Sequence, residues 1–215
     1  MQKTLSLSGG IQDRPSTVTN MSTRLPKLVA FDLDYTLWDF WIDTHVHPPL
    51  RRHHVTGKVT DSQRNPKAID FYRDVPQIMH RLQAAGVTIA ACSRTDAPSL
   101  AREALDLILI PPRTGSDSSA KPVPAIKFFD QLEIYPSSKI RHFKKLHEKT
   151  GIPYDEMLFF DDEWRNQEVE ELGVTFTLVP NGLNDRILEK GLEEWRDRHP
   201  VQIIEDVVGA DSTLI

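Results

Sequence analysis

Four stretches of the chain are apolar without alternating with polar positions: KLVAFD (27–32), VTIAAC (87–92), MLFFD (157–161) and VTFTLV (174–179). LDLILI (105–110) reads as a fifth. Continuous apolar runs of this length suit parallel strands that are covered on both faces. Between them the apolar spacing becomes helical. RDVPQIMHRLQAAG (73–86) carries Asp74 as a cap, Pro76 in the first turn and Gly86 as a stop. DAPSLAREAL (96–105) places Asp96 before a short helix. SSKIRHFKKLHEKTG (137–151) starts at Ser137 or Ser138, DEWRNQEVEELG (162–173) ends at Gly173, and NDRILEKGLEEWRDRH (184–199) is the last helix. Strands alternating with helices predict βαβ units, and hence an α/β fold with a Rossmann-like doubly wound parallel sheet.

Two stretches break the alternation. Residues 38–67 are aromatic, then rich in His and Arg, and predict a small β-hairpin flap, a minimal cap, after the first strand. Residues 111–125, PPRTGSDSSAKPVPA, are poor in core-forming residues and predict an exposed loop insertion. Residues 1–24 are rich in Ser, Thr, Gly and Gln, lack the apolar core of a signal peptide, and predict a disordered extension. Residues 200–215 form a tail with little helical periodicity outside IIEDVV. One domain over 25–199 is the expectation.

Composition narrows the partners. The chain has 215 residues and a net charge of −5, which argues against a nucleic-acid partner, whose footprint is usually basic. No apolar run approaches transmembrane length, so no membrane partner is expected. The single cysteine, Cys92, excludes an intramolecular disulfide and suits a reducing compartment. A cytoplasmic monomer, also admitted to the nucleus, is the expectation.

The chemistry lies at the strand ends. The first strand ends in Asp32-Leu33-Asp34, the second in Ser93-Arg94-Thr95 and a later one in Asp161-Asp162. Ligands of open parallel sheets bind at the carboxyl ends of the strands. Any one of these ends has a bland reading, because Asp and Ser cap helices. Three together point to phosphoryl transfer. A carboxylate can attack phosphorus and form an aspartyl-phosphate, provided the charge is cancelled. Mg²⁺ supplies that cancellation and prefers carboxylates, phosphate oxygens and waters. Asp32 and one carboxylate of the Asp161-Asp162 pair can hold it. Asp34 shares a face with Asp32, since side chains alternate, and can serve as general acid and base. Ser93 can hydrogen-bond a phosphate oxygen. Lys139, in the first turn of its helix, can complete the anion site, with Lys127, Lys144 and Lys145 as competitors; its bland reading is a solvated surface lysine.

DLDYT, ACSRT, a Lys at a helix start and FFDDE, in that order, resemble the four motifs of the haloacid dehalogenase superfamily phosphatases. FDLDYTLWDFWIDTHVHPP, SRT, SKIRHF, TGIP and FFDDEWRN narrow the likeness to the small eukaryotic magnesium-dependent phosphatases, over about residues 25–195. The resemblance implies Asp32 as nucleophile and Asp34 as general acid/base. It implies Mg²⁺ held by Asp32, Asp34 through its backbone carbonyl, and Asp162, with Asp161 supporting. It implies phosphate or substrate binding by Leu33, Asp34, Ser93, Arg94 and Lys139. The family's substrates include protein phosphotyrosine and phosphorylated sugar adducts on amines such as fructosamine-6-phosphate, so a phosphorylated small molecule or protein is the expected substrate. This chain departs in its longer amino terminus, its more basic flap and its 111–125 insertion. The flap bears on substrate preference.

His45, His47, His53 and His54 suggest zinc, but no cysteine or well-spaced carboxylate completes a tetrahedral set. A His-rich flap near a phosphate instead predicts activity that favours mildly acidic pH. Trp38 and Trp41 flank Phe40 and read as flap anchors or as a platform for an aromatic ester. Arg51, Arg52 and Lys58 read as a solvated basic edge or a guide for anionic substrates. Two non-enzymes compete with a phosphomonoesterase: a receiver-like phosphoacceptor domain, whose acidic pair precedes its phosphoacceptor aspartate, and a phosphoprotein-binding module without turnover.

Overall fold

The computed structural model describes residues 24–113, 115 and 119–200. The expected extension over residues 1–24, apart from Arg24, and the tail beyond Pro200 lie outside the described residues. In chain order the elements are β1 (Leu28–Phe31), α1 (Ile42–His45), β2 (Arg51–Arg52), β3 (Val59–Thr60), β4 (Ala68–Ile69), α2 (Val75–Ala84) and β5 (Thr88–Ser93). There follow α3 (Pro98–Leu107), β6 (Leu109–Ile110), β7 (Val123–Pro124), β8 (Gln131–Ile134), α4 (Lys139–Thr150), β9 (Met157–Asp161), β10 (Thr175–Leu178) and α5 (Asp185–Arg198).

The central sheet has the order β10-β9-β1-β5-β8. Every pairing in it is parallel. The pleat sends alternate residues of β1 to opposite faces. Val29 and Phe31 join the core beneath α2, α3 and α5, while Leu28 and Ala30 join a second core with Phe143 and Leu146 of α4. Helices on both faces explain why these strands read as unbroken apolar runs.

The run 105–110 is not a strand of this sheet. It forms the end of α3 and the two-residue β6, which pairs with β7 in a separate ribbon. The fifth central strand is β8, sequence QLEI, whose Glu133 is 1% exposed. Lys149 Nζ at 2.5 Å and the Tyr135 hydroxyl at 2.8 Å satisfy that buried carboxylate.

The flap is richer than a hairpin. It holds α1 and a three-stranded antiparallel sheet, β2-β3-β4, whose last strand lies beyond residue 67. This sheet lies along the side of α3. Leu50 N–H donates to Glu103 and the Arg52 guanidinium to the carbonyl of Leu107. Caps also differ from expectation. Asp74 precedes α2 without capping it and instead accepts from the Asp185 N–H, and Ala97, not Asp96, precedes α3. Ser138 caps α4, and Gly151 ends it in the left-handed conformation at φ 69°. Residues 164–172 wind as a 3₁₀ helix that Gly173 ends at φ 100°. No described helix is long and apolar enough to cross a membrane.

Candidate active site

The end of β1 sets the first two carboxylates. The Asp32 N–H donates to the Phe160 carbonyl at 2.9 Å, which carries the β1–β9 ladder one residue past the strand. The chain then turns sharply. The Leu33 carbonyl receives the N–H groups of Thr36, Leu37 and Trp38, and Tyr35 adopts a positive φ of 53°. Asp32 and Asp34 consequently line one cleft of about 310 Å³. Ser93 and Arg94 reach it from the end of β5, Lys139 from the first turn of α4, and Asp162 from the residue after β9.

Lys139 is the charge centre, and it is fully buried rather than a surface lysine. Its Nζ lies 2.5 Å from Asp32 Oδ1, 2.9 Å from Asp161 Oδ2 and 2.5 Å from the Cys92 carbonyl. Burial alone would favour loss of its proton, but the charges of Asp32 and then Asp161 outweigh burial and raise its pKa. Burial pushes Asp32 well above the usual carboxylate range; Lys139 opposes that shift, and Asp161 and Asp34 add to it. The pocket thus concentrates more negative charge than one ammonium balances.

Asp34 and Asp162, also on the cleft, differ in surroundings. Burial pushes Asp34 up to about 7, against the hydrogen bonds from Trp38 and Ile42 that favour its ionised form. Burial, and next the charge of Asp161, push Asp162 up to about 6. Asp161 faces inward with 0% exposure. Its oxygens are occupied by the Asn166 amide at 2.8 and 2.9 Å, the Glu163 N–H at 2.8 Å and Lys139. Of the pair, Asp162 therefore faces the cleft and Asp161 supports Lys139.

Residues 24–198 match the family model described as Acid Phosphatase. Over 173 residues the chain is 44% identical to human Magnesium-dependent phosphatase 1, a match that spans 80% of this chain and 88% of the relative. Over 162 residues it is 47% identical to a HAD-like hydrolase superfamily protein of Schizosaccharomyces pombe, spanning 74% of this chain and 90% of that protein. The chain belongs to the acid phosphatase family. Its fold is that of the haloacid dehalogenase-like phosphatases.

For a member of this family the donor set suits a hard divalent cation. Asp32 and Asp162 are carboxylates on one cleft with no soft ligand beside them, and burial raises both, so a cation would stabilise their charged forms. Among the described residues no group of three or more His, Cys, Asp or Glu is placed to hold a metal. A magnesium site of two carboxylates, a backbone carbonyl, waters and phosphate oxygens needs no such group.

Several expectations are corrected. Leu33 is completely buried in the hydrophobic core, and its carbonyl is taken by the turn, so its side chain does not enter the site. Tyr35 meets the Trp41 ring edge-on at 5.3 Å. The Thr36 hydroxyl is buried without a hydrogen-bond partner. None of His45, His47, His53 and His54 lines the cleft. His45 accepts from the Trp41 N–H, and His53 accepts from the N–H groups of Val55 and Thr56. Arg51, Arg52 and Lys58 are exposed and do not line the cleft. Trp38 is buried, while Trp41 is 49% exposed at the rim.

Two residues went unassigned in the sequence. Asn166 joins Asp161 to Arg94, accepting from the Arg94 guanidinium at 3.1 Å. Its presence in FFDDEWRN was the available signal, but the spacing does not reveal that it reaches across to β5. Asp43 of α1 accepts from the Thr95 hydroxyl at 3.2 Å and so ties the flap to the loop after β5. No local pattern marks a contact that spans 52 positions.

Proposed function

We propose that this acid phosphatase family member is a magnesium-dependent phosphomonoesterase that works through an aspartyl-phosphate on Asp32. The observation that carries this reading is the pairing of two unlike carboxylates in one cleft. Burial pushes both carboxyls up, but Asp32 is held at 2.5 Å by the Lys139 ammonium, which opposes that shift, whereas Asp34 receives the N–H groups of Trp38 and Ile42 and, raised to about 7, can carry a proton near neutrality. In the first step a carboxylate oxygen of Asp32 attacks phosphorus, the ester P–O bond breaks, and Asp34 protonates the departing oxygen. In the second Asp34 accepts a proton from water, the water oxygen attacks the same phosphorus, and the bond to Asp32 breaks to release inorganic phosphate. Ser93, Arg94 and Lys139 orient the phosphate oxygens, and Asp161 holds Lys139. Asp32, Asp162 and the Asp34 backbone carbonyl would hold Mg²⁺, which when bound would offset the repulsion between anionic nucleophile and anionic ester.

The substrate is a phosphorylated protein side chain or small molecule, with phosphotyrosine and fructosamine-6-phosphate as the two classes proposed. In support, the flap sheet lies beside α3 and leaves the cleft open to bulky esters, with the exposed Trp41 at its rim. The test is hydrolysis of p-nitrophenyl phosphate. Asp32→Asn, or EDTA on the wild type, is expected to lower kcat on the order of 10³-fold or more. Turnover that survives either change overturns the mechanism, and a single phosphorylation event without release indicates a phosphoacceptor module.

A further inference from the structure

Asp34 has two carboxyl oxygens, and the fold treats them differently. The Trp38 indole N–H donates to Oδ1 at 2.6 Å, and the backbone N–H of Ile42 donates to the same oxygen at 3.2 Å. Oδ2 has no hydrogen-bond partner among the described residues. A protonated carboxyl has one oxygen that donates and one that only accepts. An oxygen that already receives two N–H groups takes the accepting role, so the proton resides on the other.

The donor is held as firmly as the acceptor. Trp38 is 0% exposed. Its ring lies parallel to that of Phe40, at 5.3 Å and 4°, and to that of Phe71, at 6.0 Å and 4°. Phe40 belongs to the flap and Phe71 to the segment that follows it, so the indole is held by residues outside the turn it comes from. The positive φ of Tyr35 folds the chain back so that Trp38, four residues on, meets Asp34. A buried indole N–H needs an acceptor, and here the acceptor is the carboxylate that lines the cleft.

We propose that Trp38 is a positioning residue for the acid step, fixing Asp34 Oδ1 through its indole N–H so that Oδ2 carries the proton to the leaving oxygen. This rests on the reading of Asp34 as the general acid. In the step concerned, the Oδ2–H bond breaks, the proton passes to the ester oxygen as its bond to phosphorus breaks, and Asp34 is left as a carboxylate. Without the indole N–H the carboxyl can turn about its own axis, and the proton sits on either oxygen.

The test separates positioning from packing by leaving group. p-Nitrophenolate departs as an anion with little help, phenolate needs more, and the alkoxide of benzyl phosphate needs a proton. Trp38→Phe keeps an aromatic ring against Phe40 and Phe71 and removes the donor. Its kcat/KM is expected to fall about 10²-fold on benzyl phosphate and less than about tenfold on p-nitrophenyl phosphate, with phenyl phosphate between. An equal fall on all three, or no fall, overturns the proposal. Should that variant fail to fold, benzothienylalanine placed at position 38 preserves the bicyclic shape and replaces N–H by sulfur; the same discrimination is expected, and an unchanged leaving-group profile overturns the proposal. Asp34→Asn is the reference. A steep profile there with a flat one for Trp38→Phe sinks only the role of Trp38. A flat profile for Asp34→Asn sinks the acid assignment itself. In the Asp34→Asn background, Trp38→Phe is expected to add no further discrimination, because both changes remove one function.

Discussion

At the scale of single residues, the site is governed by one ammonium among several carboxylates. Lys139 is 1% exposed by side chain, Asp161 0% and Asp32 11%. Charges this deep are expensive unless each has a partner. Lys139→Met keeps most of the length and removes the charge, leaving Asp32 and Asp161 facing each other. In magnesium-free buffer this variant is expected to lose about 3–5 kcal/mol of folding stability. Added magnesium is expected to return part of that loss, so the melting temperature of the variant responds to magnesium more than that of the wild type. Thermal melts of both proteins with and without EDTA check this; an equal response contradicts it. The sequence placed Lys139 at the phosphate site from its position at a helix start. It could not reveal that the side chain runs inward to the carboxylates, because a helical pattern does not say what lies opposite its first turn.

At the scale of elements, α5 shows how tightly the helices meet the sheet. Gly191 lies inside that helix, where glycine ordinarily costs about 1 kcal/mol relative to alanine. A Cβ there would lie 2.5 Å from Phe160 Cζ and 2.9 Å from Thr177 Oγ1. Phe160 is itself stacked on Phe31 at 5.5 Å, so its ring has little room to move. Overpacking outweighs propensity here, and Gly191→Ala is expected to destabilise by about 1–3 kcal/mol, read by chemical denaturation. A stabilised variant would show that the ring yields. The apolar runs of β1, β5, β9 and β10 were legible for the same reason: both faces of each strand are covered. β8 was not, because its buried Glu133 interrupts the run and is satisfied by Lys149 and Tyr135, partners a sequence pattern does not display. LDLILI misled in the opposite sense. Its apolar residues bury, but as a helix end and a two-residue ribbon strand.

At the scale of the whole molecule, the strand ends bring Asp32, Asp34, Ser93, Arg94 and Asp162 to one edge, and this convergence was readable because parallel topology requires it. The roles of Trp38, Asp43 and Asn166 were not, because they depend on how the flap and the 3₁₀ segment return to that edge. The same convergence sets stability against function. Without a cation, the fold holds the carboxylates of Asp32 and Asp161 against a single ammonium, with Asp34 and Asp162 close by. Asp32→Asn removes one negative charge, leaves Lys139 paired with Asp161, and keeps an oxygen able to accept from Nζ. Functional sites often retain such local strain because chemistry requires it. In EDTA at neutral pH, Asp32→Asn is therefore expected to be more stable than the wild type by about 1 kcal/mol. For a domain of this size that is a melting temperature about 2–4 °C higher. Magnesium is expected to narrow the gap or reverse it, since the wild type keeps both carboxylates proposed to bind the ion while the variant has lost one. A variant that melts below the wild type in EDTA would mean that the Lys139–Asp32 pair contributes more than its neighbours' repulsion takes away, and that the charge excess of the cleft is not a burden on the fold.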